Sequence, residues 1–402
     1  MDHYDVVVVG AGWAGLSVSY ELICAKINHI VIERGRVGDT WRSQRWESFH
    51  MNTPNALTVL PGDRYAGAEP EGFMDCQAFI EMLASYANRW RLPVKEQTTV
   101  EDIRRVGDGF HVKSTAGVVT ADKVVIAAGN LNVPRMPQIS SKIPQSIHQI
   151  HGVEYTNADA LPEGAVVVVG CGDTGGQIAE ELLEEGRQVF LSTGRNGRVP
   201  RRYRGKDFFL WMSESKLNQN PRPPGNAGRA LIGRKRTISL QSLSAKGVTV
   251  VGRVCDATAS GRLLFDDTLA ESAAYADETS EAVKERIDAY IEREGIDAPV
   301  ADEDPEETVQ PNFPDPPLRE LDLLSSGVGS VIWATGLGGN FDWLNVPGTV
   351  DGHGIPIQEK SVSAPGVYFA GLDSKESQRA GTVLGASFEA ERVAAHIALQ
   401  RD

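Results

Sequence analysis

The sequence predicts an α/β protein of two doubly wound, Rossmann-like domains, and three observations predict it. Two segments, YDVVVVGAGWAGLSVSYEL at residues 4–22 and VVVVGCGDTGGQIAEEL at residues 166–182, share one layout of valine run, glycine turn and helix-like pattern. The four consecutive valines of each suit a strand buried on both faces of a parallel sheet. Gly10, Gly12, Gly15 and Gly170, Gly172, Gly175 then repeat the G-x-G-x-x-G spacing directly behind those strands.

Each element of that layout has a mechanical task. The first glycine makes the tight turn, the second lets a pyrophosphate approach the backbone, and the third lets helix and strand pack closely. The free N–H groups and dipole of the helix N-terminus favour the anion, here with Asp173 and Thr174 in the second turn. The following strands separate the two units. HIVIER ends in Glu33, placed to accept ribose hydroxyls and repel a 2′-phosphate, which suits FAD or NAD. QVFLSTGR has no acid there and offers Ser192, Thr193 and Arg195, groups that hold a 2′-phosphate, which suits NADPH. Opposite preferences imply two different dinucleotides bound at once, one giving a hydride and one receiving it.

Composition narrows the classes. The 402 residues, 41% hydrophobic and 23% charged, suffice for two or three ordinary globular domains. No stretch has the apolar length of a membrane span and no secretory signal precedes the first valines, so the expected compartment is the cytoplasm. Cys24, Cys76, Cys171 and Cys255 include no C-x-x-C pair, which argues against a metal site, a disulfide framework and a redox dithiol, and disfavours a flavoenzyme of the disulfide-reductase kind. A net charge of −14 repels polyanions, so nucleic acid is not an expected partner.

Between the motifs, Phe79, Leu83, Tyr86 and Trp90 recur at helical spacing before Pro93. Val283, Ile287, Tyr290 and Ile291 mark a second helix, with Thr279 or Ser280 as its N-cap and Gly295 as its stop. The stretch RNGRVPRRYRGK, residues 195–206, carries six basic residues and admits three readings: a phosphate site, a solvated basic face, or a patch for an acidic partner. Residues 301–317, acidic and proline-rich, read as an extended surface connection.

Further residues carry a family resemblance over nearly the whole chain. GDTWRSQRWESFHMNTPNALTVLPG at residues 38–62, KVVIAAGN at 123–130, VIWATGL at 331–337 and GVYFAGL at 366–372 resemble segments of the class B flavoprotein monooxygenases, the flavin-containing monooxygenase-like family. Within it the chain is similar to bacterial flavoproteins associated with cation transport and to plant indole-3-pyruvate monooxygenases. The family's fingerprint F-x-G-x-x-x-H-x-x-x-Y falls on QSIHQIHGVEY, where His151 and Tyr155 fit but Gln145 and Ile147 depart.

The resemblance implies an FAD domain split around an NADPH domain: residues 1–160, then 161–330 with an insertion at 195–317, then 331–402. It places Trp41, Arg42, Gly129, Gly371 and Leu372 with the FAD loop residues, and Thr335 and Gly336 at the second crossing. It puts Asn52 beside the flavin as a catalytic hydrogen-bonding group, although the Asn-Thr-Pro sequence equally suits a plain turn. The implied reaction is oxygen insertion through a C4a-peroxyflavin into a small organic molecule at nitrogen or sulfur, with molecular oxygen as co-substrate and a homodimer as the expected assembly. The alternatives are a reductase or oxidase of the same fold and a non-catalytic nucleotide-binding redox sensor.

Overall fold

The computed structural model describes residues 1–221, 230–374 and 376–400. The first valine strand, His3–Val9, lies inside a nine-stranded sheet, flanked in parallel by His29–Ile32 and Gly117–Ile126. Its valines explain that position, since Val6, Val7 and Val8 have no exposed surface and alternate between two cores. Val94–Lys95 extends one edge, and the antiparallel strands Gly109–Ser114 and Val100–Val106 extend the other.

The second valine strand, Ala165–Val169, repeats this environment, with Val166, Val167 and Val168 fully buried. It sits at the centre of an all-parallel five-stranded sheet ordered Thr249–Val251, Val189–Ser192, Ala165–Val169, Val328–Trp333, His148–His151. The edge strand His148–His151 therefore comes from before residue 161, and it contains the fingerprint histidine.

The chain then returns to the first sheet. Val367–Phe369 runs parallel to the far half of Gly117–Ile126, with Val367 opposite Val124 and Phe369 opposite Ile126. Behind it the helix Val383–Leu399 packs against the helix Trp13–Cys24. The fold is thus the expected α/β architecture, two Rossmann-like sheets with the first completed by the end of the chain. One core cluster runs through both, joining Val6 and Val8 to Val166 and Val168.

The helix Cys76–Arg89 follows its pattern: Phe79, Leu83 and Tyr86 are buried, and Asp75 caps the start by accepting from the Ala78 N–H at 2.7 Å. The insertion helix differs from its expectation. It spans Leu269–Glu294 from an N-cap at Thr268, so neither Thr279 nor Ser280 begins it, although Gly295 ends it with φ +63°. Small residues, Ser272, Ala273 and Ala276, continue the buried face N-terminally, and Ser280 is itself buried mid-helix. The acidic connection also differs in part. Asp304 caps a helical turn, Pro305–Thr308, whose half-buried Glu307 pairs with Arg198 and Lys284.

Candidate functional site

The two glycine turns are built by the same steric rule. Gly10 and Gly170 have φ +103° and +107°, a region side chains avoid. A Cβ on Gly10 would lie 2.6 Å from the Ala127 carbonyl oxygen, and one on Gly170 would lie 2.5 Å from that of Ala334. A Cβ on Gly15 would overlap the Gly10 carbonyl, and one on Gly175 the Gly170 carbonyl. The crossing segments behind the turns are the AAG and ATG stretches, and they bring Gly129, Thr335 and Gly336 to the same ends of the two sheets.

In front of each turn a helix begins with no side-chain cap, Trp13–Cys24 from Gly12 and Asp173–Glu184 from Gly172. A Cβ on Gly12 would meet nothing within 4 Å, so the space beside this turn is open. That is the cradle a pyrophosphate needs, and the first loop fits a dinucleotide. Glu33 borders it, accepting from the Ala11 N–H at 2.7 Å and the Gly35 N–H at 2.9 Å while keeping lone pairs for ribose hydroxyls. Gly371 lies against Trp13 and Ala14, with Leu372 buried behind it. Asn130 clasps this turn, donating to the Asp373 carbonyl at 2.9 Å and accepting from the Asp373 N–H at 2.8 Å.

Trp41 is half-buried edge-on to Phe79 at 4.8 Å, with the Arg45 guanidinium 4.5 Å from its ring. In the same short helix Arg42 has a buried Nε with no hydrogen-bond partner among the described residues, and the same holds for the Oε1 of Gln44, its C-cap. Unused buried polar atoms of this kind are what a polar cofactor would satisfy.

The structure separates the three residues expected at a 2′-phosphate. Ser192 and Thr193 are buried, and their hydroxyls serve the sheet: Ser192 donates to the Gly252 carbonyl and accepts from the Val254 N–H, both at 3.0 Å, and Thr193 donates to the Val251 carbonyl at 3.0 Å. Arg195 alone of the three is exposed. The basic stretch divides likewise. Arg201 is 1% exposed and paired with the equally buried Asp207, so it is a structural ion pair rather than a surface cation.

Asn52 is held from the second unit at two points. Gln177, two residues past Gly175, donates to the Asn52 Oδ1 at 3.0 Å and to the Ile232 carbonyl at 2.8 Å. Arg201 donates to the Asn52 backbone carbonyl at 3.0 Å and stacks on Phe73. With Oδ1 occupied by a donor, the amide orientation is set and the two Nδ2 hydrogens remain as donors. Asn52 is tied to the second unit by Gln177 and Arg201, whose proximity carried no local signal in the sequence.

His151 donates from Nε2 to the Gly336 carbonyl at 3.0 Å and accepts at Nδ1 from the Val153 N–H at 3.3 Å, and burial holds its imidazole below the ordinary range. It ties the linker to the second crossing. Ile147, which stands where the fingerprint has glycine, is buried in the core of the second sheet.

A family model described as pyridine nucleotide-disulphide oxidoreductase matches residues 7–213, more than half of the chain. The chain belongs to that family. This oxidoreductase is 27% identical over 390 residues to an oxidoreductase CzcO-like of Geobacillus kaustophilus, covering 96% of each chain. It is 27% identical over 179 residues to the probable indole-3-pyruvate monooxygenase YUCCA4 of Arabidopsis thaliana, covering 44% of this chain and 43% of the relative. A flavin-containing monooxygenase from Stenotrophomonas maltophilia shares its fold with a TM-score of 0.69 at 17% identity, covering 99% of this chain and 98% of that one. All four cysteines of this family member are free thiols.

Proposed function

We propose that this protein is an FAD- and NADPH-dependent monooxygenase, with FAD on the first loop and NADPH on the second, that inserts one oxygen atom into a small organic molecule at nitrogen or sulfur. The overall balance takes a hydride from NADPH and one proton from solvent, places one atom of dioxygen on the substrate and releases the other as water. Bound together, the two cofactors supply hydride transfer and oxygen activation. The chain's own residues do the rest. The helix N-termini at Gly12 and Gly172 seat the two pyrophosphates, the second with the Asp173 carboxylate accepting from the Thr174 N–H at 2.8 Å. Glu33 selects an unphosphorylated ribose and Arg195 a phosphorylated one. The side-chain N–H groups of Asn52 offer hydrogen bonds between the two sites, a donor oriented in advance rather than an acid or base.

The observation that carries this reading is the duplication itself: two pyrophosphate cradles of one design with opposite charges beside them. The names of relatives support the oxygenation. The test is stoichiometric. NADPH consumption, 18O incorporation from labelled dioxygen and hydrogen peroxide yield are measured against a panel of tertiary amines and thioethers. Label appearing in an N-oxide or sulfoxide is the expected result. Quantitative peroxide with every candidate overturns oxygen insertion and leaves an oxidase or reductase.

A further inference from the structure

The six basic residues of the stretch 195–206 do not have the same surroundings. Arg198 pairs with Asp277 and Glu307, Arg201 with Asp207, Arg202 with Glu71, Arg204 with Asp288, and Lys206 with Glu214. Arg195 has no carboxylate partner among the described residues. Its guanidinium carbon instead lies 4.5 Å from the ring centroid of Tyr275, on the insertion helix Leu269–Glu294. A ring face holds a guanidinium by its quadrupole without neutralising it, so the side chain is steadied and its charge and N–H donors stay available.

The helix is docked so that this contact is kept. Asp277 takes the Arg198 guanidinium at 2.7 Å, and Thr279 sits where a Cβ on Gly197 would come within 2.7 Å of its Cγ2. Tyr275, Asp277 and Thr279 thus face residues 195, 198 and 197 in turn, just beyond the strand Val189–Ser192 that ends at the presumed ribose. The ring lies on the one cation of the stretch that no acid has claimed among the described residues.

We propose that Tyr275 is a specificity-determining residue: its ring holds Arg195 in place for the 2′-phosphate of NADPH, so the insertion helix is part of the nucleotide site. The inference rests on the reading that Arg195 meets that phosphate. Ser192 and Thr193, whose hydroxyls are spent on the sheet, leave the discrimination to this pair.

The test uses binding rather than turnover. Adenosine 2′,5′-bisphosphate and 5′-AMP are titrated calorimetrically into the full-length flavoprotein, and the ratio of their affinities measures 2′-phosphate recognition. Wild type prefers the bisphosphate, and Arg195→Ala brings the ratio close to one. Tyr275→Ala lowers the ratio roughly two- to fivefold, the range of a cation–π contact at an exposed site, and leaves 5′-AMP affinity unchanged. Tyr275→Phe restores the ratio. A ratio lost in Arg195→Ala but intact in Tyr275→Ala overturns the role of Tyr275 and leaves the phosphate site standing. Equal loss of both ligands in Tyr275→Ala also overturns it, as a purely structural effect. A wild type without preference, or Arg195→Ala without effect, overturns the underlying reading instead.

Discussion

The two glycine turns agree in everything that a backbone must do and differ in everything that chooses a ligand. Gly10 against Ala127 and Gly170 against Ala334 are nearly interchangeable, and so are the overlaps that forbid a side chain at Gly15 and Gly175. The difference lies past the end of the neighbouring strand in each unit: a half-buried carboxylate accepting backbone donors at Glu33, and an exposed guanidinium lying on a ring at Arg195. A pyrophosphate seat is thus a steric object repeated without change. In the function proposed above, selectivity is electrostatic and is added at the rim.

The largest effect expected to separate structure from ligand selection is at the buried ion pair. Asp207→Ala strands a guanidinium that is 1% exposed and costs about 3–5 kcal/mol in chemical denaturation. Adding adenosine 2′,5′-bisphosphate or 5′-AMP to the folded fraction shows the same affinity ratio as wild type. A changed ratio would return Arg201 to the phosphate site.

Next comes the contrast inside the first turn. Gly15→Ala forces a Cβ into the Gly10 carbonyl and lowers apoprotein stability by about 3 kcal/mol. Gly12→Ala, which meets nothing, leaves the apoprotein melting unchanged and weakens FAD retention. If both variants melt alike, the division between backbone seat and ligand cradle fails. Smaller again is the loss of Arg195. Arg195→Ala narrows the kcat/KM preference for NADPH over NADH by roughly 10- to 100-fold, the worth of one charged hydrogen-bonding group. The same assay on Glu33→Gln shows no such narrowing.

The smallest effect is on acid sensitivity, where each unit buries one neutral histidine. His29 contacts the Ser19 hydroxyl at 2.7 Å and the Ile27 carbonyl at 2.9 Å, and burial lowers its pKa as it does that of His151. A depressed imidazole contributes stability that is intact above the ordinary 6.5 and is lost as pH falls toward the folded value, because the unfolded chain takes up the proton first. Urea midpoints measured between pH 7.5 and 5.5 fall less steeply in His29→Gln and in His151→Gln than in wild type. Equal slopes in all three proteins would place the acid sensitivity elsewhere.

Sequence reading reached the strands and the turns because their requirements are local. Four valines must be buried, and a glycine at a fixed offset must spare the carbonyl before it. It did not reach Tyr275, which meets Arg195 only after the insertion folds back, nor the grip of Gln177 on Asn52 across two sheets. It placed the start of the insertion helix too late because Ala273 and Ala276 bury a face with little apolar bulk. It read the acidic connection as wholly exposed because only the fold supplies the cations that pair with Glu307.

The strand Gly117–Ile126 borders the first valine strand on one side, and on the other it shares its edge between Gly109–Ser114 and Val367–Phe369. That arrangement sets an order of events on the ribosome. All five strands of the second sheet have emerged once residue 333 is outside, whereas the first sheet waits for residue 369 and for the helix that follows. The half that is synthesised first is finished last. Pairing of the first sheet therefore stays incomplete until Val367–Phe369 has been made, after every strand of the second sheet.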